Sequence, residues 1–174
     1  MNTEPAARPY DRVVQYAPAI RIFLGLVWLI NGGLKLGDPN FALHGGQCER
    51  WLVDFTATTW GPYHAFVQQL VIPNVTLFAT LVEWSETLIG LALIAGVFTR
   101  FAAWASIFLA LNYWVMRGAY AGIGGYADIE PTLVTLAAVV LMWPATRQFA
   151  LQVPPLWRGR VVGDDGLEPP TSSL

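Results

Sequence analysis

The sequence predicts an all-α membrane protein: a bundle of four transmembrane helices with both termini in the cytoplasm. Only 13% of the 174 residues are charged and 55% are hydrophobic, with a mean hydropathy of +0.45. Soluble domains carry about 25% charged residues, so this composition argues against a protein surrounded by water. Four apolar runs approach or exceed the roughly 20 residues that a helix needs to cross a bilayer. Eight tryptophans suit a chain that meets two lipid–water interfaces.

The first span is expected over residues 18–36, although Arg21, Asn31 and Lys35 interrupt its apolar run. Gly37-Asp38-Pro39 should end this helix, because proline disfavours a helical conformation at the residue before it. The preceding segment, 1–16, is polar and lacks the basic start and apolar core of a signal peptide. We therefore expect it to be a cytoplasmic N-terminal segment.

An outer loop is expected over residues 38–70, which are too polar to cross a bilayer but rich in aromatic side chains. Two stretches in this loop, 49–55 and 63–70, are typical of short helices that lie at a membrane interface. This loop should cap the bundle on the extracytoplasmic side, between the first and second spans.

The other three spans are expected over 73–98, 101–117 and 129–146. Thr99-Arg100 leaves room only for a minimal turn, so the second and third spans should pack antiparallel. Pro131 fits the first turn of the fourth span, where its missing N–H costs nothing. Residues 17–147 would then form the membrane domain, and the proline-containing tail, 148–174, a cytoplasmic segment.

The distribution of Lys and Arg predicts the orientation. With four spans, one side of the membrane holds Arg8, Arg12, Arg100, Arg147, Arg158 and Arg160. The other side holds Arg50 and Arg117, with Lys35 at a helix end. The positive-inside rule therefore predicts that both termini are cytoplasmic and that the long loop is outside.

Helical spacing places the polar residues of each span on one face. In the first span the face contains Arg21, Gly25, Trp28, Gly32 and Lys35; in the second it contains Ala79, Glu83, Glu86 and Gly90. The third span has a row of small residues suited to close helix packing, Ala102, Ser106 and Ala110, with Asn112 further along. Lipid does not solvate carboxylates, so the face with Glu83 and Glu86 should point into the bundle near the middle of the membrane.

Glu83 and Glu86 have two interpretations. In the first they are neutral or paired groups that bind the helices together. In the second they handle protons, or orient a ligand, in a cavity open to the outer half of the membrane. Counting residues from Pro73 puts Glu83 about 15 Å into the span, so Lys35 or Arg117 would reach it only with an extended side chain.

Several classes of function are excluded or disfavoured. The net charge of −2 and pI near 5.6 provide no basic surface for nucleic acid. The single cysteine, Cys48, excludes an internal disulfide and an all-cysteine iron–sulfur or zinc site. His44 and His64 both lie in the outer loop, which disfavours a haem held between helices. His44 and Cys48 alone are too few ligands, so no metal site is predicted.

The order of motifs resembles the DoxX/DoxD family of small four-helix membrane proteins. The similarity runs from Arg21 through Gly33-Leu-Lys35-Leu-Gly-Asp-Pro39 in the first span. It continues in Glu86-Thr-Leu-Ile-Gly90 and through Arg100 to Leu111-Asn112-Tyr113, and covers roughly residues 17–147. The long loop before Pro73-Asn74 is most similar to the DoxD branch, the membrane subunit of thiosulfate:quinone oxidoreductase.

This resemblance implies electron transfer from thiosulfate to quinone in the cytoplasmic (inner) membrane of a prokaryote, with a DoxA-like subunit as partner. Lys35, Glu86 and Asn112 occupy recurrent polar positions of the family. On this hypothesis Glu83 or Glu86 handles protons, while a pocket containing Lys35, Asn112, Arg117 and Trp28 holds a quinone or an anion.

A different class of function stays open: a non-catalytic accessory subunit in a larger respiratory or photosynthetic membrane complex. Such a subunit would bury one helix face against its neighbours and meet lipid with the others. The aromatic outer loop and the proline-rich tail would suit its contact surfaces.

Overall fold

The computed structural model describes residues 16–57, 59–118 and 129–142, and these residues contain helices but no strand. The expectation of an all-α protein is thereby confirmed for the described residues. The N-terminal segment 1–15, the glycine-containing stretch 119–128, the end of the fourth expected span and the tail 148–174 lie outside these ranges. Nothing in the structure therefore bears on what was expected of those segments.

Four long helices form a bundle, and two short helices lie between the first two of them in the chain. The long helices are α1 (Ala17–Leu36), α4 (Val75–Ala95), α5 (Thr99–Met116) and α6 (Ile129–Met142). The short helices are α2 (Gln47–Thr56) and α3 (Gly61–Phe66). Two helical stretches, Ala17–Leu36 and Gly61–Ala95, are long and apolar enough to cross a membrane.

Helix α3 is continuous with α4, unlike the separate interfacial helix expected over 63–70. The chain passes from α3 through a π-helical turn, Val67–Val71, and a 3₁₀ turn, Ile72–Asn74, into α4. Pro73 lacks the N–H that an α-helix needs, and the irregular turns let the helix pass this residue without stopping. We call residues 38–74 the outer segment, after the expected outer loop. Its last part, 61–74, and the second expected span together form one helical stretch of 35 residues, Gly61–Ala95.

The turn between α4 and α5 lies over residues 96–98, three residues earlier than the Thr99-Arg100 turn that we expected. Gly96 ends α4 in the left-handed conformation, with φ 73°, and Phe98 follows with φ 51°. Glycine adopts this conformation without a steric penalty and so ends the helix early. Thr99 and Arg100 instead form the first turn of α5.

The long helices alternate in direction. Gly25 of α1 approaches Ile94 of α4, whereas Gly32 approaches Thr87, so these two helices are antiparallel. In contrast, α1 and α5 are parallel, because Trp28 bonds Ser106 while Lys35 bonds Tyr113, seven residues further along both helices. Packing is most extensive between α1 and α4 and between α5 and α6. The expected buried rows are found, with Gly25 and Gly32 on α1 and Ala102, Ser106 and Ala110 on α5.

Candidate functional site

A cavity of about 630 Å³ lies where α1 and α5 end and α6 begins, with α2 and α3 over it. Most of its lining is apolar or aromatic, including Trp28, Phe41, Trp51, Leu52, Phe66, Val71, Phe78 and Leu133. A few polar side chains interrupt this lining: Lys35, Tyr63, Glu86, Asn112, Tyr113, Arg117 and Glu130. Small-molecule sites commonly combine an apolar cavity of this size with a few converging polar groups.

Lys35, Glu86 and Tyr113 form one polar wall of the cavity. The Lys35 ammonium donates to Glu86 Oε1 at 2.5 Å and to the Tyr113 hydroxyl oxygen at 3.1 Å. The Tyr113 hydroxyl in turn donates to the same carboxylate oxygen, Glu86 Oε1. The three residues come from α1, α4 and α5, so one hydrogen-bonded network joins three helices. The ammonium also lies 5.1 Å from the centre of the Tyr113 ring.

The second carboxylate oxygen of this group, Glu86 Oε2, has no hydrogen-bond partner within the described part of the chain. Glu86 is 1% exposed, so bulk water does not reach the carboxylate freely. Buried polar atoms are almost always hydrogen-bonded in native proteins. Because Glu86 lines the cavity, the unbonded oxygen marks a position where a bound molecule would find an acceptor.

The polar wall lies level with the last turns of α1 and α5. Glu86 is 11 residues from the start of α4, about 16 Å along the helix. However, α4 continues into the outer segment and projects beyond the end of α1. Lys35 in the last turn of α1 therefore reaches Glu86 directly. The count of residues from Pro73, used to judge how far Lys35 must reach, did not include this offset between the helices.

Glu83 shares its helix face with Glu86 but occupies a different environment. It is half-buried beside α1, its backbone oxygen lies near Gly32, and it does not line the cavity. The spacing of the sequence places the two carboxylates on one helix face, but only Glu86 lines the cavity. Only Glu86 meets the Lys35 ammonium in an ion pair among the described residues.

Trp28 and Asn112 also line the cavity, as expected of pocket residues. Trp28 is 2% exposed, and its indole Nε1 donates to Ser106 Oγ at 2.6 Å. Asn112 Oδ1 accepts a hydrogen bond from the Tyr63 hydroxyl at 3.0 Å. This bond ties α3 to α5 across the cavity. Helical spacing could not predict Tyr63 as the partner of Asn112, because the two residues lie on different helices, 49 positions apart in the chain.

Arg117 lies at a second polar wall rather than beside Glu83. Its Nη2 is 3.0 Å from Glu130 Oε1, and its guanidinium lies 5.8 Å from the centre of the Phe55 ring. Glu130 is 2% exposed, and its Oε2 has no hydrogen-bond partner among the described residues. Glu130 was not among the residues expected to form the site. An acidic residue directly before Pro131, in the first turn of an apolar helix, was the available signal.

Cys48 is buried and lines the cavity, whereas His44 is mostly exposed and does not line it. Burial raises the pKa of the Cys48 thiol to about 11, and the charge of Lys35 opposes this rise only in part. His44 Nδ1 lies 3.4 Å from the Glu49 carboxylate, which also belongs to the outer segment. His44 and Cys48 therefore do not converge on a metal, and the described residues contain no cluster of three or more metal-ligating side chains.

The DoxX family profile matches residues 17–118, which is more than half of the chain. This range includes Lys35, Glu86, Asn112 and Tyr113, while Glu130 lies beyond it. No curated protein and no solved structure matches the chain. The match confirms the resemblance at the level of the family, and the apolar helices agree with a location in a membrane. The chain therefore belongs to the DoxX family of membrane proteins.

Proposed function

We propose that the protein is a DoxD-like subunit of a quinone-linked oxidoreductase and that its cavity binds a quinone. In this proposal the four long helices cross a prokaryotic inner membrane, with both termini in the cytoplasm. Thiosulfate would supply the electrons through a DoxA-like partner. The observation that carries the proposal is the buried, unbonded oxygen of Glu86 in a mostly apolar cavity.

The residues of the cavity fit a quinone. A volume of about 630 Å³ accommodates a quinone ring and part of its tail. Phe41, Trp51, Phe66 and Phe78 offer aromatic and apolar surface to the ring and tail. The polar wall of Lys35, Glu86 and Tyr113 offers hydrogen-bonding groups to the polar head of an amphipathic ligand, and most of the remaining lining is apolar and would suit its tail.

A bound quinone would accept electrons and protons, and the residues of the chain would position it and supply the protons. The Lys35 ammonium compensates the charge of the Glu86 carboxylate, which would be costly alone in a buried position. An ionised Glu86 would accept a hydrogen bond at Oε2 from a hydroxyl of the reduced quinone. A carbonyl of the oxidised quinone, which only accepts, would bond there when Oε2 carries a proton, and that proton would then pass to the ring oxygen while Lys35 and Tyr113 hold Oε1. Asn112 and the Arg117–Glu130 pair would orient the ring from the other walls.

Turnover of the intact complex tests this proposal. We would isolate the protein with its partners from its own membranes and measure thiosulfate-dependent reduction of decylubiquinone. Glu86→Gln removes the proton-carrying group but keeps its shape, so turnover should fall about 100-fold, the usual scale of general acid–base catalysis. Glu83→Gln should cause a much smaller loss, because Glu83 lies outside the cavity lining. Asp54→Asn, on the exposed surface of α2, is the control.

The accessory-subunit hypothesis has one specific observation in its favour. The Lys35–Glu86–Tyr113 network joins three helices and would stabilise a scaffold as well as a reaction site. In that case Glu86→Gln should disrupt assembly, and the unmodified complex should show no thiosulfate-dependent turnover. Retained assembly with lost turnover would instead favour the enzyme.

A further inference from the structure

Helices α4 and α5 separate as they leave their shared turn and form opposite walls of the cavity. The two helices are joined by only three residues, yet they pack on each other far less than α1 packs on α4. The facing residues line the cavity instead: Phe78, Leu81, Val82 and Ser85 from α4, and Phe108, Leu109 and Asn112 from α5. We call this gap the lateral slot.

The outer rim of the lateral slot is apolar and exposed. Phe108 is 70% exposed and Leu81 is 54% exposed, although both line the cavity. The cavity therefore reaches the outer surface of the bundle between these two side chains. The surrounding surface of α5 is also apolar, with Trp104 exposed one turn and Phe101 two turns before Phe108. A surface of this kind on a membrane helix faces lipid.

The lateral slot is centred on the polar wall. Leu81 precedes Glu86 by five residues and Phe108 precedes Tyr113 by five residues, and the two helices are antiparallel. The rim therefore extends about 7.5 Å to either side of the Glu86–Tyr113 bond, or about 15 Å along the bundle axis. Ser85 and Asn112, which line the slot, are direct neighbours of Glu86 and Tyr113 in the chain.

We infer that the ligand of the cavity enters sideways from the lipid, with its polar head at Glu86 and its apolar tail in the lateral slot. This inference rests on the proposed function and specifies the ligand as a lipid-phase molecule with a tail. The unbonded Glu86 Oε2 supplies the position for the head. The gap between α4 and α5, with the exposed apolar side chains of Leu81 and Phe108 at its two ends, supplies the position for the tail.

A different route would suit a ligand dissolved in water. Asn31 of α1 also lines the cavity and is exposed, and it does not belong to the lateral slot between α4 and α5. An opening at this polar side chain would suit a small tailless molecule better than a lipid tail. The two routes therefore imply different ligands and different sites of contact.

Photocrosslinking of the full chain in nanodiscs distinguishes the two routes. We would replace Phe108, Asn31 or Phe101 with p-benzoylphenylalanine and irradiate each variant with decylubiquinone as the probe. Phe101 is the matched control, because it lies on α5 and is 77% exposed but does not line the cavity. We expect at least fivefold more covalent adduct, by intact-mass spectrometry, at position 108 than at position 31 or 101. Equal or greater capture at position 31 would overturn the inference.

Binding of the unmodified protein separates failure of this inference from failure of the proposed function. We expect decylubiquinone to bind at least tenfold more tightly than the tailless 2,3-dimethoxy-5-methylbenzoquinone. Equal binding of the two compounds, or binding without capture at position 108, would overturn the inference that the tail lies in the lateral slot. A quinone site in the cavity would still be supported. No binding of either compound would overturn the proposed function, and the inference with it.

Discussion

Lys35 and Glu86 compensate each other's charge in a place where either charge alone would be costly. Glu86 is almost completely buried, and the Lys35 side chain is 13% exposed. Removal of Lys35 leaves the almost fully buried carboxylate uncompensated, whereas removal of both partners leaves no buried charge. Removal of Glu86 alone leaves the more exposed ammonium, which keeps its hydrogen bond to Tyr113, and should cost less. Substitutions of the two residues should therefore have strongly non-additive effects on the free energy of unfolding.

Lys35→Met should lower the free energy of unfolding by about 3–5 kcal/mol. The double variant Lys35→Met/Glu86→Leu should be more stable than Lys35→Met alone, because no unpaired carboxylate remains. Unfolding of the unmodified protein, Lys35→Met, Glu86→Leu and the double variant in one detergent measures this coupling. Additive losses would show that the ion pair does not hold these helices together.

Cys48 should be unreactive at neutral pH although it lines the cavity. Burial raises its pKa to about 11, so only about 0.1% of the thiol is ionised at pH 8. Alkylation by iodoacetamide should therefore be slow, and its rate should rise about tenfold per pH unit between pH 7 and 10. The denatured chain, with an ordinary thiol pKa of about 8.5, supplies the comparison. Equal rates for native and denatured protein would contradict the burial of Cys48.

The sequence predicted the helix faces that carry Lys35 and Glu86, but not the pairing between them. Spacing of three and four residues defines a face, and most residues of these faces are buried in the structure. Pairing depends on the axial offset between two helices, which a count from Pro73 did not provide. The Arg117–Glu130 and Tyr63–Asn112 contacts were missed for the same reason, since each joins segments far apart in the chain.

At the scale of the helices, three glycines permit the close packing of α1 and α4. A Cβ added at Gly32 would lie 2.5 Å from Thr87 Oγ1 and 2.6 Å from the Thr87 backbone nitrogen. A Cβ added at Gly90 would lie 2.5 Å from the Leu29 nitrogen, and one at Gly25 would lie 3.0 Å from the Gly90 oxygen. These distances are below van der Waals contact. The two backbones therefore approach so closely that alanine does not fit without a shift of the helices.

Gly32→Ala should lower stability by about 1–3 kcal/mol, the usual cost of overpacking. Gly33→Ala is the matched control, because nothing lies within 4 Å of the added Cβ. Alanine also favours a helix over glycine by about 1 kcal/mol, so this variant should be as stable as the original or more stable. Thermal unfolding of both variants in the same detergent makes the comparison. Equal losses for both would contradict the close packing of α1 on α4.

Helix ends were predictable where a local residue determines them. Pro18 lies in the first turn of α1, and Gly37 follows its last residue. The early end of α4 was not predicted, because glycine was also tolerated inside the helix at Gly90. The continuity of α3 with α4 was missed because a proline usually marks a boundary, and here the helix passes Pro73 by a change of hydrogen-bond pattern.

At the scale of the whole molecule, the alternating directions of α1, α4 and α5 suit successive crossings of a membrane. The cavity then lies near one end of the bundle axis, under α2 and α3. The proposed orientation places this end outside the cytoplasm, because the Arg residues of the two termini and Arg100 at the start of α5 would then be inside.

Cysteine labelling of intact cells tests this orientation. In a Cys48→Ala background, a cysteine introduced by Asn40→Cys should react with a membrane-impermeant maleimide from outside. Cysteines introduced by Thr3→Cys and Ser172→Cys should react only after the membrane is permeabilised. Labelling of either terminus in intact cells would contradict the proposed topology.

A quinone bound in the cavity should be detectable by native mass spectrometry of the protein taken from its own membranes in mild detergent. We expect a small assembly with one DoxA-like partner and a bound mass equal to that of a quinone. Glu86→Gln should retain the assembly and lose most of the bound mass. A fixed stoichiometry within a large complex, with no quinone bound to this subunit, would contradict the account and identify the protein as an accessory subunit.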